Sequence, residues 1–149
     1  DAQADEVNLI VMMGESNASG IAPNSAATPR ERAARPSVKI LNNSNFRFEN
    51  LDLDQNNNID NATPWNQSHS WEIGLADAVE AGLLPNPTYM VKAAASGTRI
   101  DQWLMNGGGT WWENMRNKMD AAVALLRAQN RPYKITVWYS QNQDRAIFA

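Results

Sequence analysis

The first strong pattern in the chain is a near-continuous apolar run, Val7-Asn8-Leu9-Ile10-Val11-Met12-Met13. It is too short for a typical helix and apolar at both alternating sets of positions. That predicts a strand over 7–13 buried on both faces. Thr28-Pro29-Arg30-Glu31 reads as a capping box with proline at the first helical position, predicting a short helix over about 29–34. Pro36 ends it, and Ser37 to Leu41 is the second strand. The alternation of Phe46-Arg47-Phe48 adds a short extended piece. Residues 50–69 are polar, rich in Asn and Asp and without a period, which predicts a long loop. Ile73, Ala76, Val79 and Leu83 share one face of a helix from about Trp71 to Leu83, closed by Pro85-Asn86-Pro87. A third strand spans Tyr89 to Ala94. Gly107-Gly108-Gly109 reads as a flexible hinge or a tight loop, and Thr110 with Glu113 makes a second capping box. The helix it starts runs to about Ala128, with Trp112, Met115, Met119, Ala122, Val123 and Leu126 facing inward. Lys134 to Tyr139 is the fourth strand.

Strands alternating with helices predict an α/β fold, a parallel sheet with helices on both faces. Such sheets bind ligands at the carboxyl ends of their strands. Ser16, Gly97 and the Gln141-Asn142-Gln143-Asp144 stretch each follow a strand end and are therefore expected on one edge. Gly14-Glu15-Ser16-Asn17 places a serine on a glycine-flanked turn after a buried strand. Several α/β hydrolases hold their nucleophile in this way, and backbone N–H groups at such a turn can stabilise an oxyanion.

The 149 residues contain no internal repeat and suffice for one domain with a sizeable core. A net charge of −3 gives no electrostatic reason to expect nucleic acid or an anionic membrane as partner. Arg30, Arg32 and Arg35 read as a solvated face. The absence of cysteine excludes disulfides and thiolate metal sites. No apolar run approaches the roughly 18 residues of a membrane span. The chain starts at Asp1, as an exported protein trimmed of its signal peptide would, so an extracellular or periplasmic location is expected. Asp52, Asp54, Asn56, Asn58 and Asp60 alternate as in calcium loops. An EF-hand, however, needs glycine at its sixth position and glutamate at its twelfth, where this chain has Asn57 and Thr63. Asx turns are expected there, and no metal.

Three segments resemble the SGNH (GDSL-like) hydrolases, in the branch of sialate O-acetylesterases and acetylxylan esterases. Gly14-Glu15-Ser16-Asn17 is similar to that branch's Gly-Gln-Ser-Asn block. Ala95-Ser96-Gly97-Thr98-Arg99-Ile100-Asp101-Gln102-Trp103 is similar to its Gly-Gly-Thr-Ser-Ile-x-x-Trp segment. Trp138-Tyr139-Ser140-Gln141-Asn142-Gln143-Asp144 sits where the family carries Gly-x-Asn-Asp or Gln-Gly-Glu-x-Asp, and departs from both. The resemblance implies a three-layer α/β/α sandwich with a central parallel, flavodoxin-like sheet. It covers the first two-thirds of a family domain, so residues 1–149 are expected to form a single domain incomplete at its C-terminus. It further implies a serine esterase with Ser16 as nucleophile. The oxyanion donors would be the N–H groups of Ser16 and Gly97 and the side-chain amide of Asn142 or Gln143, with no cofactor. The substrate would be an acylated carbohydrate or another small ester, with Trp65, Trp111 and Trp112 as aromatic faces for a sugar. The family's last block, Asp-x-x-His, supplies the base and is missing here. The sole histidine, His69, lies in the polar loop. Three explanations stand open. The chain is a fragment whose histidine and aspartate lie outside it, with a second polypeptide or self-association completing the domain. Or it is a non-catalytic extracellular module for carbohydrate binding or assembly. Or His69 acts as a substitute base.

Overall fold

The computed structural model describes residues 5–57, 68–105 and 109–140. Its elements run β1 (Val7–Gly14), α1 (Ser16–Ser19), β2 (Ala22–Pro23), α2 (Pro29–Arg32), β3 (Arg35–Asn42), β4 (Arg47–Leu51), β5 (Ser68–His69), α3 (Glu72–Glu80), β6 (Thr88–Ala94), α4 (Thr110–Ala128) and β7 (Tyr133–Ser140). Short 3-10 turns cover Asn24–Ala26 and Ile100–Trp103. The main sheet has the order β4-β3-β6-β1-β7. β1 pairs in parallel with β6 and β7, and β3 in parallel with β6, while β4 runs antiparallel on β3. Of the expected extended piece Phe46–Phe48, Arg47 and Phe48 open an antiparallel edge strand, while Phe46, at φ 54°, lies in the tight turn before it.

The continuous apolarity of β1 has a simple cause. Val7, Leu9, Val11 and Met13 face one side with Met115, Ala122 and Leu126 of α4. Ile10 and Met12 face the other side with Leu75, Ala76 and Val79 of α3. Helix α4 covers the first face and α3 the second, giving an α/β/α sandwich.

The Thr28 capping box forms as expected, with Pro29 opening the helix, but α2 stops at Arg32. The box at Thr110 does not form: Gly109 is the N-cap and Thr110 is the first helical residue. Helix α3 ends at Glu80, because Ala81 and Gly82 (φ 74°) turn the chain away. Leu83, expected on the inner face, is therefore 79% exposed. Lys118 lies on the inward face of α4, and burial pushes its ammonium pKa down to about 7.

The solvated-face reading of the arginine cluster holds for Arg30 and Arg32 and fails for Arg35, which is 4% exposed. The Arg35 guanidinium donates to Glu80 Oε1 at 2.7 Å, Glu80 Oε2 at 2.6 Å and Asp77 Oδ1 at 2.6 Å. It ties the start of β3 to the end of α3. These bonds, led by Arg35 and followed by Ser37, hold the Glu80 carboxyl down at about 2 against an ordinary 4.5. Between those two values the unfolded chain binds the extra proton, so stability rises with pH there. Glu80 therefore contributes above about pH 4.5 and loses its contribution as pH falls toward 2. The urea midpoint is expected to drop across this window, and Glu80→Gln to flatten the slope.

Candidate active site

The register of the sheet builds the site. Gly14, the last residue of β1, pairs with Ala94 of β6 on one side and Ser140 of β7 on the other. Ala95 N–H donates to Gly14 O at 3.0 Å, and Glu15 N–H donates to Ser140 O at 3.1 Å. Ser16 and Gly97 thus leave neighbouring strands at the same carboxyl edge, as the sequence pattern predicts. Gly14 sits at φ 138°, and a Cβ there would lie 2.0 Å from the Ser140 carbonyl oxygen. Gly14→Ala is expected to cost about 3 kcal/mol or more, backbone strain and overpacking together. Chemical denaturation measures this directly.

Ser16 is the first residue of α1, and the cap is Glu15 rather than the serine. Glu15 Oε2 accepts from Ser16 N–H at 2.6 Å and also from the Ser16 hydroxyl. Its other oxygen accepts from Asn17 N–H at 3.4 Å. The carboxylate, only 7% exposed, therefore engages both groups that a nucleophilic serine needs, its hydroxyl proton and its own N–H. For Ser16 to attack an ester and hold an oxyanion, both groups must change partner.

Gly97 lies in the turn after β6 with φ 76°. A Cβ there would meet nothing within 4 Å, so the backbone conformation, not crowding, calls for glycine. The turn is closed by Thr98, whose hydroxyl donates to Ala95 O at 2.8 Å and accepts from Trp103 Nε1 at 3.0 Å. Asp101 is exposed and paired with Arg99 at 2.6 Å, which holds its carboxyl below the usual range.

The other candidate residues divide. Trp111 and Trp112 are half-buried in the first turn of α4 and pack against the α4-side core. Trp111 stacks on Trp103 with ring centroids 6.1 Å apart. Trp65, Asn142 and Gln143 lie outside the described residues. His69, in β5, pairs with Ala22 of β2, and its Nδ1 meets Asn24 Oδ1 at 3.1 Å. Asn24 Nδ2 in turn donates to Asp54 Oδ1 at 2.7 Å, and Arg32 holds the other oxygen, Asp54 Oδ2, at 2.9 Å. Among the described residues the Ser16 hydroxyl bonds to Glu15, and His69 is committed to this separate polar chain. In the acidic loop the asparagine side chains reach back along the chain, unlike the forward bond of an Asx turn: Asn56 Oδ1 accepts from Asp52 N–H at 2.9 Å and Asn57 Oδ1 from Asp54 N–H at 3.3 Å. Asn58 and Asp60 lie outside the described residues.

Behind the Ser16 turn lies a polar cluster that the sequence pattern did not reveal. Glu72, at the start of α3, and Lys92, on the α3 face of β6, are both buried and meet at 3.0 Å. Burial pushes the Lys92 ammonium below its ordinary pKa, and the Glu72 charge opposes that shift. Glu72 also accepts from Asn57 Nδ2 at 3.0 Å and from Ser70 N–H at 3.0 Å.

A family model described as "Carbohydrate esterase, sialic acid-specific acetylesterase" matches residues 6–145, most of the chain. The chain belongs to this carbohydrate esterase family. Two solved structures share the fold of this family member. One is a protein from Arabidopsis thaliana (19% identity, TM-score 0.66), matched over 90% of this chain and 56% of that one. The other is NanS (15% identity, TM-score 0.59), matched over 95% of this chain and 55% of that one. The chain thus spans a little over half the length of each. No curated protein matches it. Among the described residues, no helix is long and apolar enough to cross a membrane.

Proposed function

We propose that this carbohydrate esterase removes acetyl or similar acyl groups from a sugar through Ser16. The observation that carries the reading is the placement of Ser16 and Gly97 on adjacent strands at one sheet edge, in a member of an acetylesterase family. Ser16 Oγ attacks the ester carbonyl, its proton passes to a base, and the oxyanion is held by the N–H groups of Ser16 and Gly97. The amide of Asn142 or Gln143 is the third donor. Collapse of the tetrahedral intermediate expels the sugar hydroxyl, which takes the proton back, and water then releases the acyl group in a second round. By resemblance the base is the imidazole of an Asp-x-x-His block, outside this sequence. Trp65, Trp111 and Trp112 are the proposed sugar contacts. The test, like the kinetic tests below, uses the protein that carries the Asp-x-x-His block, and measures acetate release from O-acetylated sialic acid and from acetylated xylo-oligosaccharides. Release from either supports the reading, and turnover of neither sinks it.

A second reading, a binding or assembly module, is supported by β7. Among the described residues β7 forms one edge of the main sheet, with Ile135, Val137, Trp138 and Tyr139 all exposed. Exposed apolar surface of this kind on an edge strand favours association with a second polypeptide or another copy.

A further inference from the structure

We propose that Ser70 is a positioning residue for Ser16, anchored in turn by the buried Glu72–Lys92 pair. This rests on Ser16 being the nucleophile. Helix α1 is a single turn of four residues, Ser16–Ser19. A helix of that length does not hold itself, because nucleation is unfavourable and few of its backbone groups pair internally. Its position is therefore set from outside. The Ser70 hydroxyl donates to the carbonyl of Asn17, the residue next to Ser16. Ser68 Oγ donates to Gly20 O at 2.9 Å, and Gly20 N–H closes back on Ser16 O at 2.8 Å. A Cβ on Gly20 would lie 2.4 Å from the His69 carbonyl, so the segment 68–70 lies directly against the end of the turn.

That segment is itself fixed to the core. Ser70 N–H donates to Glu72 Oε2 at 3.0 Å, while Glu72 Oε1 receives Lys92 Nζ and Asn57 Nδ2, each at 3.0 Å. Asn57 also holds Ser68 O at 2.8 Å. Asn43 Nδ2 donates to Lys92 O at 3.1 Å, which ties the β6 end of the network to the turn after β3. A continuous set of hydrogen bonds thus runs from a charged pair on the α3 face of the sheet to the backbone beside the nucleophile. Misplacing a reacting atom by about 1 Å can cost on the order of 100-fold in rate. The Ser70 hydroxyl brings this network directly to the Asn17 carbonyl.

The test compares wild type, Ser70→Ala, Ser70→Thr and Ser16→Ala by the rate of fluorophosphonate labelling and by kcat and KM on p-nitrophenyl acetate. Thermal unfolding verifies that each variant is folded. Ser70→Ala is expected to lower kcat and the labelling rate by about 10-fold or more with KM unchanged. Ser70→Thr keeps the hydroxyl and should restore both. Wild-type rates in Ser70→Ala, a loss confined to KM, or a folded Ser70→Thr as slow as Ser70→Ala would each overturn the positioning role. An unlabelled wild type, or equal labelling of Ser16→Ala, would instead overturn the nucleophile assignment, and the role of Ser70 with it.

Discussion

In the protein that carries the Asp-x-x-His block, replacing Ser16 with alanine is expected to lower kcat for ester hydrolysis by about 1,000-fold or more while leaving the fold intact. The rate loss follows from removing the only atom proposed to form the acyl bond; oxyanion donors and substrate contacts alone leave a small residual rate. The fold survives because the serine hydroxyl makes a local bond to the preceding residue, Glu15. Without it Glu15 still accepts from the backbone N–H groups of residues 16 and 17. The stability change should be no more than about 1 kcal/mol, the net worth of one hydrogen bond. Kinetics and thermal unfolding on the same sample check both halves. A variant that keeps its rate removes Ser16 from the mechanism. One that unfolds shows that the hydroxyl carries structural weight the local geometry does not explain.

The largest stability effect is expected from Lys92→Met. Glu72 is fully buried and Lys92 nearly so, and their charges face each other at 3.0 Å. Methionine fills much of the lysine volume but leaves the Glu72 carboxylate without its counter-ion, with Asn57 and the Ser70 N–H as its remaining donors among the described residues. Breaking one side of such a pair costs about 3–5 kcal/mol, because a buried charge is left uncompensated. Replacing both partners, Lys92→Met with Glu72→Gln, should return a substantial part of that loss, since no net charge then stays buried. Urea unfolding of the two variants decides it. If Lys92→Met alone is as stable as wild type, the Lys92–Glu72 contact does not carry the stability assigned to it.

The two central strands of the main sheet, β1 and β6, were legible because a strand buried on both faces has few other readings. Val7 to Gly14 and Thr88 to Ala94 show this directly, their alternate residues feeding the two core clusters. The edge position shared by Ser16 and Gly97 was legible for the same reason, since parallel strands end together. Helix ends were less so. Leu83 fits the period of α3, yet Gly82 at φ 74° has already turned the chain, and a pattern of apolar spacing does not register that turn. Thr110 and Glu113 have the spacing of a capping box, but the N-cap falls one residue early at Gly109 and leaves the box unformed.

The buried charges were illegible for a deeper reason. Arg35, Glu72, Lys92 and Lys118 look like surface residues by type, and each is buried. Arg35, Glu72 and Lys92 are stabilised by partners distant in sequence: Arg35 by Asp77 and Glu80, Lys92 by Glu72. Pairing across that distance exists only once the sheet has assembled. Glu15 is the opposite case: its partner is the next residue, but nothing in the spacing tells a carboxylate that turns back on Ser16 from one that points to solvent.

The most direct measurement is fluorophosphonate labelling of the native protein, followed by peptide mapping of the modified residue. The expected result is a single adduct on Ser16, absent from Ser16→Ala. A folded protein that takes no label, or takes it at another residue, would contradict Ser16 as the nucleophile.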